Sequence, residues 1–326
     1  MICTAPEKIS ARAQPRPALA RERARLAHEL LADCRLCAHD CGVNRLAGET
    51  GLCHATADAR FFSAQTEVSD ELELIPTFAV ALSGCDLRCD FCITGRESWN
   101  PRAGLGFSAT AMAEQARAAL AEGAKTIMVL GGEPTIHLPA ALEFVSHLPA
   151  SAKLIWKTNA HGSAQARELL DGMFDVWLAD FKFGNDACAL RLAKTPDYVR
   201  VVRENLLWFA GAERRAVGVQ ASACSGDTLK RELQRELQRA GSETGVPAHG
   251  ELIVRHLLMP GHVECCWRPV AEWLAENLPG VKVNLRSGFW PAWQAARHAE
   301  LRRTVSELES HRAGEIADKF GLHLIP

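Results

Sequence analysis

The sequence has no excess of charge of either sign, since 37 lysines and arginines face 39 aspartates and glutamates, and the net charge is −2. Such a chain lacks the positive field that would make nucleic acid a default partner. It also lacks long apolar runs: stretches such as Phe78–Leu82 and Thr126–Leu130 are far shorter than the ~18 residues of a membrane span. Residues 1–33 contain several arginines but no continuous apolar segment typical of a secretory signal. We therefore expect a cytoplasmic protein without a membrane span.

Cysteine, in contrast, is abundant, with 12 in 326 residues. In a chain of this length without an export signal, clustered cysteines bind metal more often than they form disulfides. Two tight groups lie between residues 34 and 92, and five other cysteines are scattered: Cys3, Cys188, Cys224, Cys265 and Cys266. We therefore predict a reduced, intracellular metalloprotein.

From residue 76 onward, short apolar runs alternate with helical patterns. The runs predict six strands, at 76–82, 125–130, 153–157, 174–179, 252–258 and 281–285. Helices are predicted at 20–31, 108–122, 138–147, 164–170, 187–194, 198–210 and 270–277, and again from 291 to 310. Strands that alternate with helices in this way form parallel βαβ units. The predicted fold is α/β, a partial (β/α)6 TIM-like barrel.

The predicted barrel occupies residues 71–290 and includes an insertion at about 214–250 with a solvated helix at 230–240. Residues 1–70 are predicted to hold a short helix and a cysteine knuckle that packs beside the barrel. Residues 34–70 show little apolar periodicity, so metal ligands rather than a core are expected to hold this part together. Residues 291–326 form a predicted helical extension.

Three cysteines follow the first predicted barrel strand with the spacing C-x3-C-x2-C: Cys85, Cys89 and Cys92. Three thiolates on one loop can hold three corners of a [4Fe–4S] cube and leave the fourth iron without a protein ligand. An iron with an open position can bind a substrate, as catalytic zinc sites do. The alternative is a zinc site that takes its fourth ligand from elsewhere in the chain.

This motif resembles that of the radical S-adenosylmethionine (SAM) enzymes, which have an aromatic residue before the last cysteine, here Phe91. The resemblance implies that the amino and carboxylate groups of SAM chelate the open iron. It further implies that the reduced cluster cleaves the sulfonium and releases a 5′-deoxyadenosyl radical, which abstracts hydrogen from a substrate. The cofactor would supply this chemistry, and the protein would supply position and exclusion of water.

A second motif, Gly131-Gly132-Glu133-Pro134, follows the second predicted barrel strand. Two glycines let a ligand approach the backbone closely, although a Gly-Gly pair is also an ordinary turn. The element is similar to the radical SAM strand end that pairs with the methionine amino group of SAM. This resemblance implies that Gly131, Gly132 and Glu133 bind SAM.

Polar residues follow or end the later strands, where barrel active sites are built. In glycyl-radical activating enzymes, similar D-x-K and R-H elements contact SAM. The resemblance implies SAM binding by five further residues: Asn159, Asp180, Lys182, Arg255 and His256. Each of them, taken alone, is equally well interpreted as a capped turn or a satisfied polar group at a strand end.

The N-terminal cysteines have the spacing Cys34-x2-Cys37-x3-Cys41-x11-Cys53. Four thiolates in a compact segment predict a metal-binding knuckle, and either zinc or a second iron–sulfur cluster would satisfy them. His39 and His54 are alternative ligands, although four thiolates do not need them.

The pattern over about residues 34–300 resembles a branch of uncharacterised radical SAM proteins related to pyruvate formate-lyase activating enzyme. The shared segments are CRLC…CGVNR, LLDGxxDVWLxDFK and LIVRHLxxPG. There are two departures: Ile93-Thr94-Gly95 follows Cys92 where relatives usually have polar or aromatic residues, and residues 214–250 have no match in the activating enzymes.

The resemblance implies an oxidoreductase that cleaves SAM at a [4Fe–4S] cluster and abstracts hydrogen from a protein glycine, a peptide or a small molecule. It also implies flavodoxin or ferredoxin as the electron donor. The alternative from another class is a non-catalytic interaction protein with two zinc sites. Trp99, Trp290 and Trp293 either line a substrate mouth or pack in the core.

Overall fold

The structure, a computed structural model, describes residues 15–68, 71–211 and 250–326. A single sheet runs through these residues in the order β3-β1-β2-β4-β5-β6-β7-β8-β9. Its strands are β1 (Arg60–Glu67), β2 (Thr77–Leu82), β3 (Leu105–Gly106), β4 (Thr126–Gly131), β5 (Leu154–Thr158), β6 (Val176–Asp180), β7 (Glu251–Leu257), β8 (Lys282–Arg286) and β9 (His323–Leu324).

The six predicted barrel strands are β2 and β4 to β8, and each pairs in parallel with the next. Helices follow these strands in the way that βαβ units require. Within the described ranges the sheet stays open, because the order runs from edge to edge without a pairing that closes it. The prediction of a partial TIM-like (β/α)6 barrel is confirmed.

The helices are α1 (Arg16–Glu29), α2 (Gly95–Trp99), α3 (Ala109–Ala121), α4 (Leu138–Ser146), α5 (Ala164–Leu170), α6 (Asp186–Ala193), α7 (Tyr198–Phe209), α8 (Arg268–Asn277) and α9 (Glu307–Lys319). Local sequence explains several starts: the side chains of Ser108, Ser163 and Asn185 accept hydrogen bonds from first-turn amides of α3, α5 and α6. None of the helices in the described ranges has the length and hydrophobicity that a membrane span requires.

The core lies on both faces of the sheet, because parallel strands covered by helices are buried on each side. All six residues of β2 are buried. Alternate side chains form a small inner cluster that includes Ala79, Met128 and Ile155. Their neighbours, among them Val80 and Trp156, face the helices and belong to the main hydrophobic core.

Two expectations about the ends of the chain are wrong. Residues 60–67 form β1, which pairs antiparallel with β2, so the segment after the knuckle is part of the sheet. Its alternation is weak because β1 is only partly buried. In the C-terminal extension, residues 295–302 form short 3-10 turns, and the helix begins only at Glu307. The capping box of Ser306 and Glu309 sets that start.

The N-terminal helix α1 begins at Arg16 and has Pro17 in its first turn, where the fixed φ of proline suits a helix. It packs against α4. Arg16 of α1 pairs with Asp175 at 2.8 Å, which connects the helix to the start of β6. The insertion helix predicted at 230–240 lies outside the described residues, and the division at residues 70 and 290 stays a prediction.

Candidate active site

A cavity of about 460 Å³ opens at the carboxyl ends of the parallel strands. This volume is within the usual range for a small-molecule site. Every barrel strand or the loop after it contributes to the lining, which includes Cys85, Cys89, Cys92, Gly131, Gly132, Asn159, Asp180, Lys182, Arg255, Arg286 and Trp290. The cavity therefore occupies the end of the barrel where active sites are built.

The loop after β2 brings Cys85, Cys89 and Cys92 to one wall of this cavity. Cys85 and Cys89 are buried, while Cys92 is partly exposed. Burial raises the pKa of the Cys89 thiol to about 12, with a smaller opposing effect of Lys182. A buried thiolate therefore needs a cation for its charge, and a metal supplies one.

The backbone of the cysteine loop is held by α6. The amide of Arg88 donates to the carbonyl of Ala193 at 3.0 Å, and that of Asp90 donates to Leu192 at 2.9 Å. The carboxylate of Asp90 pairs with Lys194 at 2.8 Å, at the end of the same helix. The position of the loop thus depends on the position of α6.

The donor set fits a [4Fe–4S] cluster. The three cysteines come from one loop, and no fourth cysteine is among the described residues that line the cavity. A cluster held by them would keep one iron without a protein ligand, facing the cavity.

Gly131 and Gly132 line the cavity at the end of β4. Gly131 has φ of +148°, and a Cβ there would lie 2.0 Å from the carbonyl oxygen of Leu82; one at Gly132 would lie 2.0 Å from that of Gly84. Contact with the neighbouring strand and its loop therefore requires glycine at both positions, whether or not a ligand approaches.

Glu133 lies behind the cavity wall, 1% exposed. Its carboxylate accepts hydrogen bonds from the Thr158 hydroxyl at 2.9 Å and the Asn159 amide at 2.7 Å. Burial, reinforced by the charge of Asp86, raises its pKa to about 7. In this structure Glu133 joins the ends of β4 and β5, and its contact with SAM stays a prediction.

Asp86, beside Cys85, is fully buried and connects the cysteine loop to the loop after β5. Its carboxylate accepts from Asn159 Nδ2 at 2.6 Å and lies 2.9 Å from His161 Nδ1. Burial opposes ionisation, but His161 and Asn159 outweigh it and lower the pKa of this carboxyl. Asn159 thus lines the cavity with its amide already oriented by an ionised carboxylate.

The cavity floor carries fixed charges. Lys182 pairs with Asp180, and both line the cavity together with Arg255. Burial favours the neutral lysine, but the charge of Asp180 prevails and raises the Lys182 pKa. The backbone amide of Lys182 donates to the Tyr198 hydroxyl at 2.9 Å, which positions this strand end.

His256 is not among the lining residues, although its neighbour Arg255 is. Its Nδ1 donates to the Phe181 carbonyl at 2.7 Å, and its buried Nε2 has no hydrogen-bond partner among the described residues. Burial lowers its pKa to about 4, so the ring is neutral at pH 7. A role in SAM binding stays a prediction for this residue.

The four N-terminal cysteines lie outside the cavity. Within the described part of the chain, two groups of His, Cys, Asp and Glu bring their ligand atoms within 4.8 Å of one another, and these four cysteines belong to neither. Thiolates around one zinc ion would be about 3.8 Å apart, given a Zn–S distance of ~2.3 Å. The arrangement is therefore wider than a single zinc ion requires, and the second metal stays a prediction.

Backbone pairing and one arginine hold this knuckle. The Cys34 and Gly42 amides pair with the carbonyls of Val43 and Cys34 in a small hairpin. The buried Arg45 guanidinium donates to the carbonyls of Thr56 and Ile136, the latter at 2.7 Å. The expectation that metal ligands rather than a core hold this segment is thus incomplete.

The two histidines considered as alternative ligands have other positions. His39 donates from Nε2 to the carbonyl of Asp86 at 2.9 Å, so it contacts the cysteine loop. His54 is exposed. Of the three tryptophans, Trp99 and Trp290 line the cavity and Trp293 packs against Trp99, with ring centroids 5.9 Å apart.

Sequence reasoning missed one group entirely. Cys188, Cys265 and Cys266, interpreted as scattered, converge with His262 so that their ligand atoms lie within 4.8 Å of one another. The local pattern His262-x2-Cys265-Cys266 was a usable signal. The fourth member, 74 residues away from His262, could not be found from spacing.

Residues 80–213 match the family model of the radical SAM superfamily. The chain is also 26% identical over 320 residues to a protein of Methanocaldococcus jannaschii described as uncharacterized protein MJ0674, with 95% of this chain and 81% of the relative covered.

Two solved structures are similar at lower levels. SuiB of Streptococcus suis bound to S-adenosylmethionine has 13% identity and a TM-score of 0.45, with 74% of this chain and 47% of SuiB covered. A radical SAM methyltransferase from Sphaerobacter thermophilus has 20% identity and a TM-score of 0.41, with 76% and 64% covered. The chain thus spans less than two thirds of each of these structures. The family likeness rests on the sequence match instead: residues 80–213, fewer than half of the chain, match the radical SAM superfamily model.

Proposed function

We propose that this protein is a radical SAM enzyme in which Cys85, Cys89 and Cys92 hold a [4Fe–4S] cluster. When bound, the cluster and SAM supply a 5′-deoxyadenosyl radical for hydrogen abstraction. One observation carries the proposal: the three thiols of the family motif share a wall of a cavity whose other lining groups are suited to SAM. The matching family model supports the same chemistry.

The chain's own residues would orient SAM. Lys182 and Arg255 place positive charge where a carboxylate would bind, and Asp180 offers an acceptor for an ammonium group. Asn159, held by Asp86, offers an amide beside Cys85, with its Nδ2 3.7 Å from that sulfur. The burial of Cys85 and Cys89 in the wall would help to exclude water from the reacting atoms.

The rim of the cavity supports a peptide or protein segment as substrate. Ile93 is 78% exposed and Trp290 is 66% exposed, and both line the opening. Large apolar side chains exposed together are typical of surfaces that bind proteins. Ile93 is also the residue at which the chain departs from the activating-enzyme pattern, so a protein glycine is only one candidate within this class and not the assigned target. A flavodoxin or ferredoxin as electron donor, and a cytoplasmic location, complete the proposal.

The test uses full-length protein purified without oxygen. We expect a brown protein with at least four irons per chain that releases 5′-deoxyadenosine from SAM after reduction. Lys182→Met should weaken SAM binding while iron content stays unchanged. The matched control is Lys153→Met, because Lys153 is exposed just before β5, at the opposite end of the barrel.

Three results would contradict the proposal or its details. A colourless protein that contains zinc and no iron would support the zinc-binding interaction protein instead. A protein that contains iron but releases no 5′-deoxyadenosine would contradict the proposed radical chemistry. An equal effect of Lys153→Met and Lys182→Met on SAM binding would contradict the role assigned to Lys182.

A further inference from the structure

Two loops at the carboxyl end of the barrel bring together three thiols and one imidazole. Cys188 lies in α6, which follows β6. His262, Cys265 and Cys266 lie after β7, in and just before a π-helical turn at Val263–Trp267. We call these four residues the thiol–imidazole group.

The distances between the ligand atoms of the thiol–imidazole group are those expected around a single tetrahedral metal ion. The Cys265 sulfur lies 3.9 Å from that of Cys188 and 4.0 Å from that of Cys266. His262 Nδ1 lies 3.6, 3.3 and 3.7 Å from the sulfurs of Cys188, Cys265 and Cys266. Zinc bonds of ~2.3 Å to sulfur and ~2.0 Å to nitrogen place ligand atoms about 3.8 Å (S to S) and about 3.5 Å (S to N) apart.

We propose that Cys188, His262, Cys265 and Cys266 bind one zinc ion. A polynuclear iron–sulfur cluster is disfavoured because it attaches its thiolates to different metal atoms and so separates them further. A disulfide is absent, since all three cysteines are free. Four protein ligands leave no open position, so the site is structural rather than catalytic.

Neighbouring groups orient these ligands as in known zinc sites. Asn185 Nδ2 donates to the sulfur of Cys188 at 3.3 Å and to the carbonyl of Cys265 at 2.7 Å. The carboxylate of Glu300 lies 3.6 Å from His262 Nε2, and it also pairs with Arg191, whose Nη2 lies 3.3 Å from the same nitrogen. Ligation through Nδ1 puts the ring proton on Nε2, where Glu300 is the available acceptor, since the Arg191 guanidinium has only N–H donors.

The backbone is also shaped for this convergence. The amides of Cys266 and Trp267 both donate to the carbonyl of His262, at 2.9 and 3.2 Å, which places His262 and the two cysteines on one face of the turn. A Cβ at Gly184 would lie 2.3 Å from the carbonyl oxygen of Cys266. Glycine is therefore needed for the loop before α6 to approach the turn this closely.

The zinc ion would connect the first turn of α6, which follows β6, to the turn after β7. It would thereby fix the position of α6. The opposite end of α6 holds the cysteine loop of the cavity, through the carbonyls of Leu192 and Ala193. The ion would therefore help to position the [4Fe–4S] loop without contacting it. The zinc proposal does not depend on the radical chemistry, because the site would exist in either case.

The test compares metal content in full-length proteins purified without oxygen. We expect Cys188→Ser combined with Cys265→Ser to lose one zinc per chain relative to wild type, with most of the iron retained because Cys85, Cys89 and Cys92 are unchanged. The matched control is Glu264→Gln, since Glu264 lies beside Cys265 but is exposed and pairs with Arg268 and Arg312. This control should keep all of its zinc. Measuring the difference from wild type removes any contribution from zinc at the N-terminal cysteines.

Cobalt gives a second readout. Protein produced with Co²⁺ should show sulfur-to-cobalt charge transfer and the intense visible bands of a tetrahedral site. If the double variant fails to fold, Cys265→Ser alone is used, because Cys265 is exposed. This variant should weaken the charge-transfer bands. Equal zinc in wild type and double variant, loss of iron instead of zinc, unchanged cobalt bands, or a Cys265–Cys266 disulfide in zinc-free wild type would each overturn the proposal.

Discussion

Replacing Arg45 by methionine should open the N-terminal knuckle while the barrel stays folded. Arg45 is 2% exposed, and its guanidinium reaches two backbone carbonyls from separate parts of the chain, those of Thr56 and Ile136. Methionine retains much of the apolar stem but leaves both carbonyls without this donor. A buried polar group that loses its partner costs about 1–3 kcal/mol, so the two together cost about 3 kcal/mol.

The assay is amide hydrogen exchange. The reporters are the Cys34 and Gly42 amides, whose hydrogen bonds close the hairpin of the knuckle. A local loss of about 3 kcal/mol corresponds to exchange about 100-fold faster at these amides. Amides of the central strands should exchange as in wild type.

Arg35→Met is the matched control for Arg45→Met. Arg35 lies in the same hairpin, but its side chain is 45% exposed and pairs with the exposed Asp33 and Asp40. Exposed pairs are screened by solvent and contribute little to stability, so this variant should change exchange only a few-fold. Unchanged protection in Arg45→Met, or equal loss in both variants, would refute the reasoning and leave metal ligation as what holds the knuckle.

Three further results are expected. Cys89→Ala should abolish SAM cleavage with unchanged circular dichroism, because the barrel core does not depend on the cysteine loop; an unfolded variant would contradict this. Cys37→Ala should release the N-terminal metal and expose residues 34–68 to protease while SAM cleavage persists in part. Equal loss of cleavage, with the iron at Cys85, Cys89 and Cys92 retained, would show a redox role instead. Burial, with the charge of Arg45, lowers the pKa of His137 to about 3. The unfolded state therefore binds this proton more tightly, and the free energy of unfolding should fall as pH drops below ~6.5, by about 2 kcal/mol at pH 5. His137→Gln should lack this part of the acid slope, and an identical slope would contradict it.

The sequence was sufficient for the parts of this protein that depend on local pattern. All six barrel strands were predicted from short apolar runs, because strands buried on both faces have the same signature wherever they lie. The spacing of Cys85, Cys89 and Cys92 was equally readable, because one loop supplies all three thiols. The strand β1 was missed because a partly buried strand lacks that signature.

The tertiary structure decided which distant groups meet. It showed that Glu133 joins the ends of β4 and β5, which the Gly-Gly-Glu motif did not reveal. It also brought Cys188 to His262, 74 residues away, beside Cys265 and Cys266. Nothing near Cys188 in the sequence marks it as a ligand. These residues converge because parallel strands end at one edge of the barrel, so the loops after β6 and β7 must meet there.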